Sequence, residues 1–242
     1  MQPGLIVLFV ALMLLAEAAA VEFSTAEING KALTVCRVDL RKERLLLFLR
    51  DETGRPIKRF DRLTTFVEAR GKRLLFAMNA GMYHADFSPV GLFISEGQQL
   101  APLNLAKGEG NFFLKPNGVF IITERGARVI EASAFVGIRE RVILATQSGP
   151  MLVHRGQLHP AFNANSESRL FRNGVCAPSP DEVIFVNSEA PVNFHEFATF
   201  FRDKLRCTEA LFLDGTISSL HSTALKRSDF RMDLGPIIGI VE

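Results

Sequence analysis

The sequence predicts an α+β fold: a single domain with a mixed, mostly antiparallel β-sheet core and a few packed helices. Three observations lead there. Short apolar, β-branched runs recur along the chain and stop at Gly, Asn, Asp or Pro, the pattern of strands and turns. Helical spacing is confined to two segments. After the N-terminal segment, no Pro/Ser-rich linker, internal repeat or low-complexity stretch divides the chain.

The elements follow in order. Leu5–Leu15 is an unbroken apolar run, and Ala16-Glu17-Ala18 and Ala18-Ala19-Ala20 supply small residues behind it. Residues 1–20 therefore read as a secretory signal peptide, which leaves 21–242 as the domain. The run is short for a membrane span, and an uncleaved N-terminal anchor is the alternative. Leu33–Leu40 and Leu45–Arg50 flank the polar connector Arg41–Arg44 and are expected to form a hairpin. Asp51–Pro56 (DETGRP) is a turn by composition. Phe60–Ala69 sets Phe60, Leu63, Phe66 and Val67 at helical spacing. Leu74–Met78, Val90–Ser95 and Val119–Thr123 are strand candidates, as are Val142–Ala145 and Val183–Val186. Asn193 and Glu196 form an N-x-x-E capping box, with Phe194, Phe197, Phe201 and Leu205 along one helix face. Leu211–Leu213 is a last strand, running into Asp214.

Composition narrows the function. Of 242 residues 48% are hydrophobic, enough for a sizeable core, and the net charge of +2 comes without a basic cluster that would mark a nucleic-acid partner. There are 21 Phe, one Tyr and no Trp, which excludes a long polysaccharide groove paved with Trp platforms. Cys36, Cys176 and Cys207 are too far apart for a CxxC knuckle. In an oxidising compartment two of them pair and one is left over; otherwise all three are small buried hydrophobes. Neither HExxH, GxSxG, a Walker A loop nor a Rossmann fingerprint occurs, and Gly108-Glu-Gly110 is a lone GxG.

What remains is a repeated strand-end pattern. Apolar runs stop at Asn79-Ala80-Gly81, Gln147-Ser148-Gly149-Pro150, Asn187-Ser188-Glu189 and Asp214-Gly215-Thr216. Polar groups on loops at the ends of rigid strands are where ligand sites collect, and each cluster alone is also an ordinary turn. Glycines there allow close backbone approach and anion-binding nests of N–H groups. Arg169 and Arg172 lie in the polar stretch Asn163–Asn173, where a guanidinium suits a phosphate. A small anionic or hydroxylated ligand fits this inventory.

The order of these segments resembles the phosphodiester glycosidase family. The matching stretches are Met78-Asn-Ala-Gly-Met-Tyr83 with Pro89-Val-Gly91, Gln147-Ser-Gly-Pro-Met-Leu152, Arg172-Asn-Gly-Val175, and Leu213-Asp-Gly215 with Ser218-Ser219. The resemblance runs from about Leu74 to the C-terminus. Ala80 and Met82 stand where the family often has Gly and Phe, and Thr216 and Ile217 replace glycines, which points to a bacterial, exopolysaccharide-related subgroup.

The resemblance implies hydrolysis of a sugar-1-phosphodiester at the anomeric C–O bond, with cell-surface or exopolysaccharide-type glycans as the expected substrates, and the signal-peptide reading makes the expected location periplasmic or secreted. Asp214 is then the carboxylate acting as nucleophile, base or oxocarbenium stabiliser. Arg172 neutralises the phosphate, helped by backbone N–H groups around Gly81 and Gly215. Asn79, Gln147 and Ser148 position sugar hydroxyls or phosphate oxygens, with Asn79 grouped among the catalytic residues. Tyr83, Thr216, Ser218 and Ser219 complete the substrate contacts, although a buried structural Tyr is an equal reading of Tyr83. Glu189 and Asp86 are candidates for a second carboxylate. No cofactor is required, with Ca2+ or Mg2+ left open. The expected partner is the small sugar phosphodiester, with no nucleic acid and no stable membrane insertion after signal cleavage. Two other classes stay in play: a non-catalytic phosphosugar-binding module, and a metal-dependent phosphodiesterase holding a cation between Asp214 and Asp86 or Glu189.

Overall fold

The structure, a computed structural model, describes residues 21–242. The expected signal peptide at 1–20 lies outside the described residues. Asn29-Gly30 has φ of 50° and 74°, the left-handed pair that a two-residue hairpin turn requires, and folds β1 (Val21–Ile28) onto β2 (Lys31–Asp39). The chain continues through β3 (Leu45–Phe48), α1 (Phe60–Glu68), β4 (Leu74–Asn79), β5 (Phe93–Ser95) and β6 (Gln98–Ala101). Next come β7 (Gly118–Thr123), β8 (Gly126–Glu131), β9 (Val142–Ser148), β10 (Met151–His154), β11 (Gln157–Leu158), β12 (Asn173–Ser179) and β13 (Glu182–Ser188). It ends with α2 (Phe194–Thr199), β14 (Ala210–Phe212), β15 (Leu220–Ser222), β16 (Arg227–Ser228) and β17 (Ile237–Val241).

These strands form three sheets. The first has the order β1-β2-β13-β12-β14-β10-β11, the second β16-β15-β4-β17-β3, and the third β6-β5-β9-β7-β8. Every ladder between these strands is antiparallel. The expected hairpin between Leu33–Leu40 and Leu45–Arg50 does not form. β2 already has β1 on one edge and β13 on the other, so β3 crosses to the second sheet and pairs with β17. The connector Arg41–Arg44 is an inter-sheet crossing.

The core sits where the sheets face one another. Phe185 of β13 packs on Phe76 of β4 at 5.5 Å and on Phe120 of β7 at 6.1 Å between ring centroids, so one side chain joins all three sheets. α1 buries Phe60, Leu63 and Val67 against β4 and β17 residues. α2 starts at the expected capping box: the Asn193 side chain accepts from the Glu196 N–H, and Glu196 accepts from the Asn193 N–H. A π-turn, Phe200–Lys204, then carries Phe200 and Phe201 into the core. Cys176 and Cys207 form a disulfide, and Cys36 is a buried free thiol. Among the described residues no helix is long and apolar enough to cross a membrane.

Candidate functional site

Three of the strand ends converge on Asp214. Asn79 ends β4 in the second sheet, Ser148 ends β9 in the third, and Asn173 opens β12 beside β14 in the first. Asn173 Nδ2 donates to the Asn79 carbonyl (3.0 Å) and to Asn79 Oδ1 (2.9 Å), and Asn173 Oδ1 accepts from the Asp214 N–H (2.9 Å). Asn79 Oδ1 also accepts from the Ser219 N–H (3.0 Å), and Asn79 Nδ2 donates to the Asp214 carbonyl (3.3 Å). Ser148 Oγ donates to the Leu213 carbonyl. The Ser218 hydroxyl lies 3.0 Å from the Asp214 carbonyl and 2.7 Å from that of Gly215, and Ser219 Oγ donates to the Ile217 carbonyl (2.7 Å).

Asn79, Ser148, Asn173, Ser218 and Ser219 are all buried, and each satisfies its side chain on backbone groups of the strand ends and the Asp214 loop. The N–H and C=O of Asp214 are both held, so its carboxyl group is presented from a rigid base. Asp214 lines an open cleft of about 470 Å3 together with Met82, Tyr83, His84, Phe112 and Phe113. Burial pushes the Asp214 carboxyl up to about 6, against the opposing effect of a hydrogen bond from the Gly215 N–H. Tyr83 is pushed up to about 12 by burial and by the charges of Asp214 and Asp233. Its hydroxyl donates to the Asp233 carbonyl (2.6 Å), its ring stacks on Phe87 at 5.5 Å, and Gly235 packs against it so closely that a Cβ there would lie 2.3 Å from the ring, so both the phenol and the ring are held by the protein.

A family model described as phosphodiester glycosidase matches residues 72–230, which include every strand end just described. The chain belongs to the phosphodiester glycosidase family. It is 35% identical over 204 residues to the uncharacterized protein YigE of Escherichia coli K12, covering 84% of this chain and 80% of that one. Its fold is similar to that of the zebrafish N-acetylglucosamine-1-phosphodiester α-N-acetylglucosaminidase catalytic domain, auto-inhibited by pro-peptide: TM-score 0.64 at 13% identity, covering 93% of this chain and 84% of that one. It is also similar to a hypothetical protein from Synechocystis, with TM-score 0.54 at 13% identity, covering 91% of this chain and 61% of that one.

Within this phosphodiester glycosidase domain the other candidate residues take different places. Gln147 is buried behind the cleft: Oε1 accepts from the Leu92 and Asn104 N–H groups (both 2.9 Å) and Nε2 donates to the Asn104 carbonyl (2.7 Å). A Cβ at Gly81 would lie 2.6 Å from the Gln147 carbonyl, and one at Gly215 would lie 3.0 Å from the Phe212 ring. Both glycines permit close packing, and neither has the left-handed φ of an alternating N–H nest. Thr216 is exposed at the tip of the Asp214 loop. Glu189 is engaged by Thr34 and Arg227 (both 2.6 Å), and the Asp86 carboxylate by Ser88 (2.6 Å). Among the described residues no three His, Cys, Asp or Glu side chains gather where they could share a metal ion.

Arg172 is the largest fully buried side chain. The ladder pairs Gly174 with Phe212, and the Leu213 N–H donates to the Asn173 carbonyl, so Arg172 stands across from Asp214. Its guanidinium lies 3.6 Å from the Phe194 ring centroid and donates to the Val192 (2.9 Å) and Ser168 (3.2 Å) carbonyls. Nη1 has no partner, and burial lowers the group to about 10. Sequence reasoning passed over two residues. Asn173 lies inside a matched segment, Arg172-Asn-Gly-Val175, and an Asn between an Arg and a Gly was the available signal. Arg231 lay in a loop without periodicity, and nothing marked it. Its guanidinium sits 3.7 Å over the Phe171 ring, two residues from the Asp233 carbonyl that Tyr83 holds.

Proposed function

We propose that this protein is a periplasmic or secreted hydrolase that cleaves the glycosidic C–O bond of a sugar-1-phosphodiester on cell-surface or exopolysaccharide-type glycans. The observation that carries the reading is the Asp214 carboxyl: partly buried, raised to about 6, and presented into a cleft by a backbone clamp. A carboxylate held this way suits attack on, or stabilisation of, an oxocarbenium-like anomeric carbon. A phosphate leaving group departs as a stable anion, so it needs charge neutralisation more than protonation. The unpartnered Nη1 of Arg172 and the exposed guanidinium of Arg231 are the cations for that role. Phe113, half-buried in the cleft lining beside Tyr83, offers an aromatic surface to the sugar. The Leu5–Leu15 run and the Cys176–Cys207 disulfide support an oxidising, exported location.

The test is a screen of sugar-1-phosphodiesters in 18O-labelled water. Label is expected in the sugar, and label in the phosphate would mean P–O cleavage and sink the proposal. Asp214→Asn is expected to lower turnover by roughly a hundredfold or more with the fold intact.

A further inference from the structure

A second cavity, of about 850 Å3, lies on the other side of the loop that carries Tyr83. Its walls are Leu46 and Phe48 of β3, Phe66 of α1, Phe93 of β5, Leu100 of β6 and Val241 of β17. β3 and β6 are the outer strands of the second and third sheets, so the groove runs between two sheet edges with α1 as its third wall. It falls within the roughly 300–1,000 Å3 of small-molecule sites, and Leu100 is left 53% exposed along it.

The rim is basic. Arg44, Arg50, Arg70 and Lys72 line the groove with a single carboxylate, Glu96, which pairs with Arg44 at 3.2 Å. Arg70 meets Glu52 outside the groove at 2.5 Å. Arg50 donates to the Gly54 and Asp86 carbonyls, and neither Arg50 nor Lys72 has a carboxylate partner among the described residues. A hydrocarbon trough with an unneutralised positive rim complements a ligand with an apolar body and an anionic end. A peptide strand added to β3 fits less well, because the Leu47 carbonyl is already taken by Ser95 Oγ at 2.9 Å.

The position of the groove connects it to Asp214. Ser88 and Pro89 line the groove, while Tyr83, His84 and Val90 of the same loop line the cleft. Pro89 bridges back to Tyr83, and Arg50 holds the Asp86 carbonyl, so this loop is a common wall between the two cavities. We infer that the groove receives the hydrocarbon chain of the leaving group, making the substrate a sugar-1-phosphodiester of a lipid alcohol. The assignment to substrate rests on the phosphodiester reading; the binding of an anionic amphiphile does not.

The experiment separates the two. Dodecyl phosphate below its micelle concentration is titrated into the purified protein by calorimetry, with ethyl phosphate as the short control. Dodecyl phosphate is expected to bind and ethyl phosphate not to, and Leu100→Glu and Lys72→Glu, both surface changes, are each expected to weaken binding by about tenfold. Absence of binding, or binding unchanged in both variants, overturns the groove. Dodecyl and methyl diesters of the same sugar phosphate are then compared. A dodecyl preference of about tenfold in kcat/KM, expressed mainly in KM and reduced in Leu100→Glu, is the expected result. Equal rates on the two diesters overturn the lipid leaving group. Dodecyl phosphate binding with neither diester hydrolysed overturns the phosphodiester reading and leaves the groove standing.

Discussion

At the scale of single residues, Asp214 couples activity to stability. Its carboxyl moves from an ordinary 3.8 to about 6 in the folded state through burial. Between those values the folded protein holds a proton that the unfolded chain has released, so raising the pH through this window lowers stability. The nucleophile, base and stabiliser roles all need the ionised form, so kcat/KM is expected to rise with a limb near pH 6, the range in which stability falls. Asp214→Asn removes the buried charge. The variant is expected to melt higher than the parent above about pH 7, with the gap closing near pH 4, while its turnover is lost. Equal melting temperatures at both pH values would mean that the carboxyl is not strained by burial. The two arginines divide differently. Arg231→Ala, at an exposed site, is expected to change stability by less than about 0.5 kcal/mol and to raise KM for a charged diester more than for a neutral aryl glycoside. Arg172→Ala leaves the Val192 and Ser168 carbonyls without their donor and opens the stack on Phe194, so a loss of about 2–4 kcal/mol in denaturant melts is expected first. The sequence named Asp214 because it ends an apolar run and Arg172 because it is a cation in the polar stretch Asn163–Asn173, each inside a segment resembling the family. It did not name their partners, because a side chain's type does not state what it faces.

At the scale of elements, the site is a set of strand ends tied together by carboxamides. Asn79 and Asn173 are 94 positions apart in the chain and belong to different sheets, yet their side chains lie within 2.9 Å. Asn173 has no access to the cleft through its carboxamide, which is fully engaged by Asn79 and the Asp214 N–H. Asn173→Ala leaves the buried Asp214 N–H without an acceptor. A loss of about 1–3 kcal/mol is expected, together with a fall in kcat at little change in KM, because the variant loosens the carboxyl without touching a ligand. A change confined to KM would instead place Asn173 in contact with substrate. Local signals made most elements readable in advance. The Asn193–Glu196 capping box, the DETGRP turn and the Phe60–Val67 periodicity each act within a few residues. The pairing of β3 was not readable, since the choice between β2 and β17 depends on which edges are already filled by β1 and β13. For the same reason the strand ends were visible as polar stops, and their convergence on Asp214 was not.

At the scale of the molecule, three sheets act as one body because their contacts cross at two levels. Hydrogen bonds from Ser148 to Leu213 and from Asn173 to Asn79 tie the third and second sheets to the first around the cleft. Below them Phe185 touches Phe76 and Phe120, one from each of the other sheets. A sheet that opened alone would expose this ring cluster and orphan the buried carboxamides, so unfolding is expected to be a single transition. Cys36 makes this measurable. It is the one cysteine outside the disulfide, it lies in β2 of the first sheet, and burial raises its thiol well above the usual range. Its labelling by a thiol reagent is expected to be slow in the native state and to share its urea midpoint with the loss of far-ultraviolet circular dichroism. Phe185→Ala is expected to move both midpoints down together, with a loss of about 3–5 kcal/mol in unfolding free energy, because the cavity opens at the junction and not inside one sheet. If Cys36 instead became reactive at a lower urea concentration than the dichroism change, the first sheet would be opening by itself. Asp214 would then rest on one sheet's stability rather than on that of the whole domain.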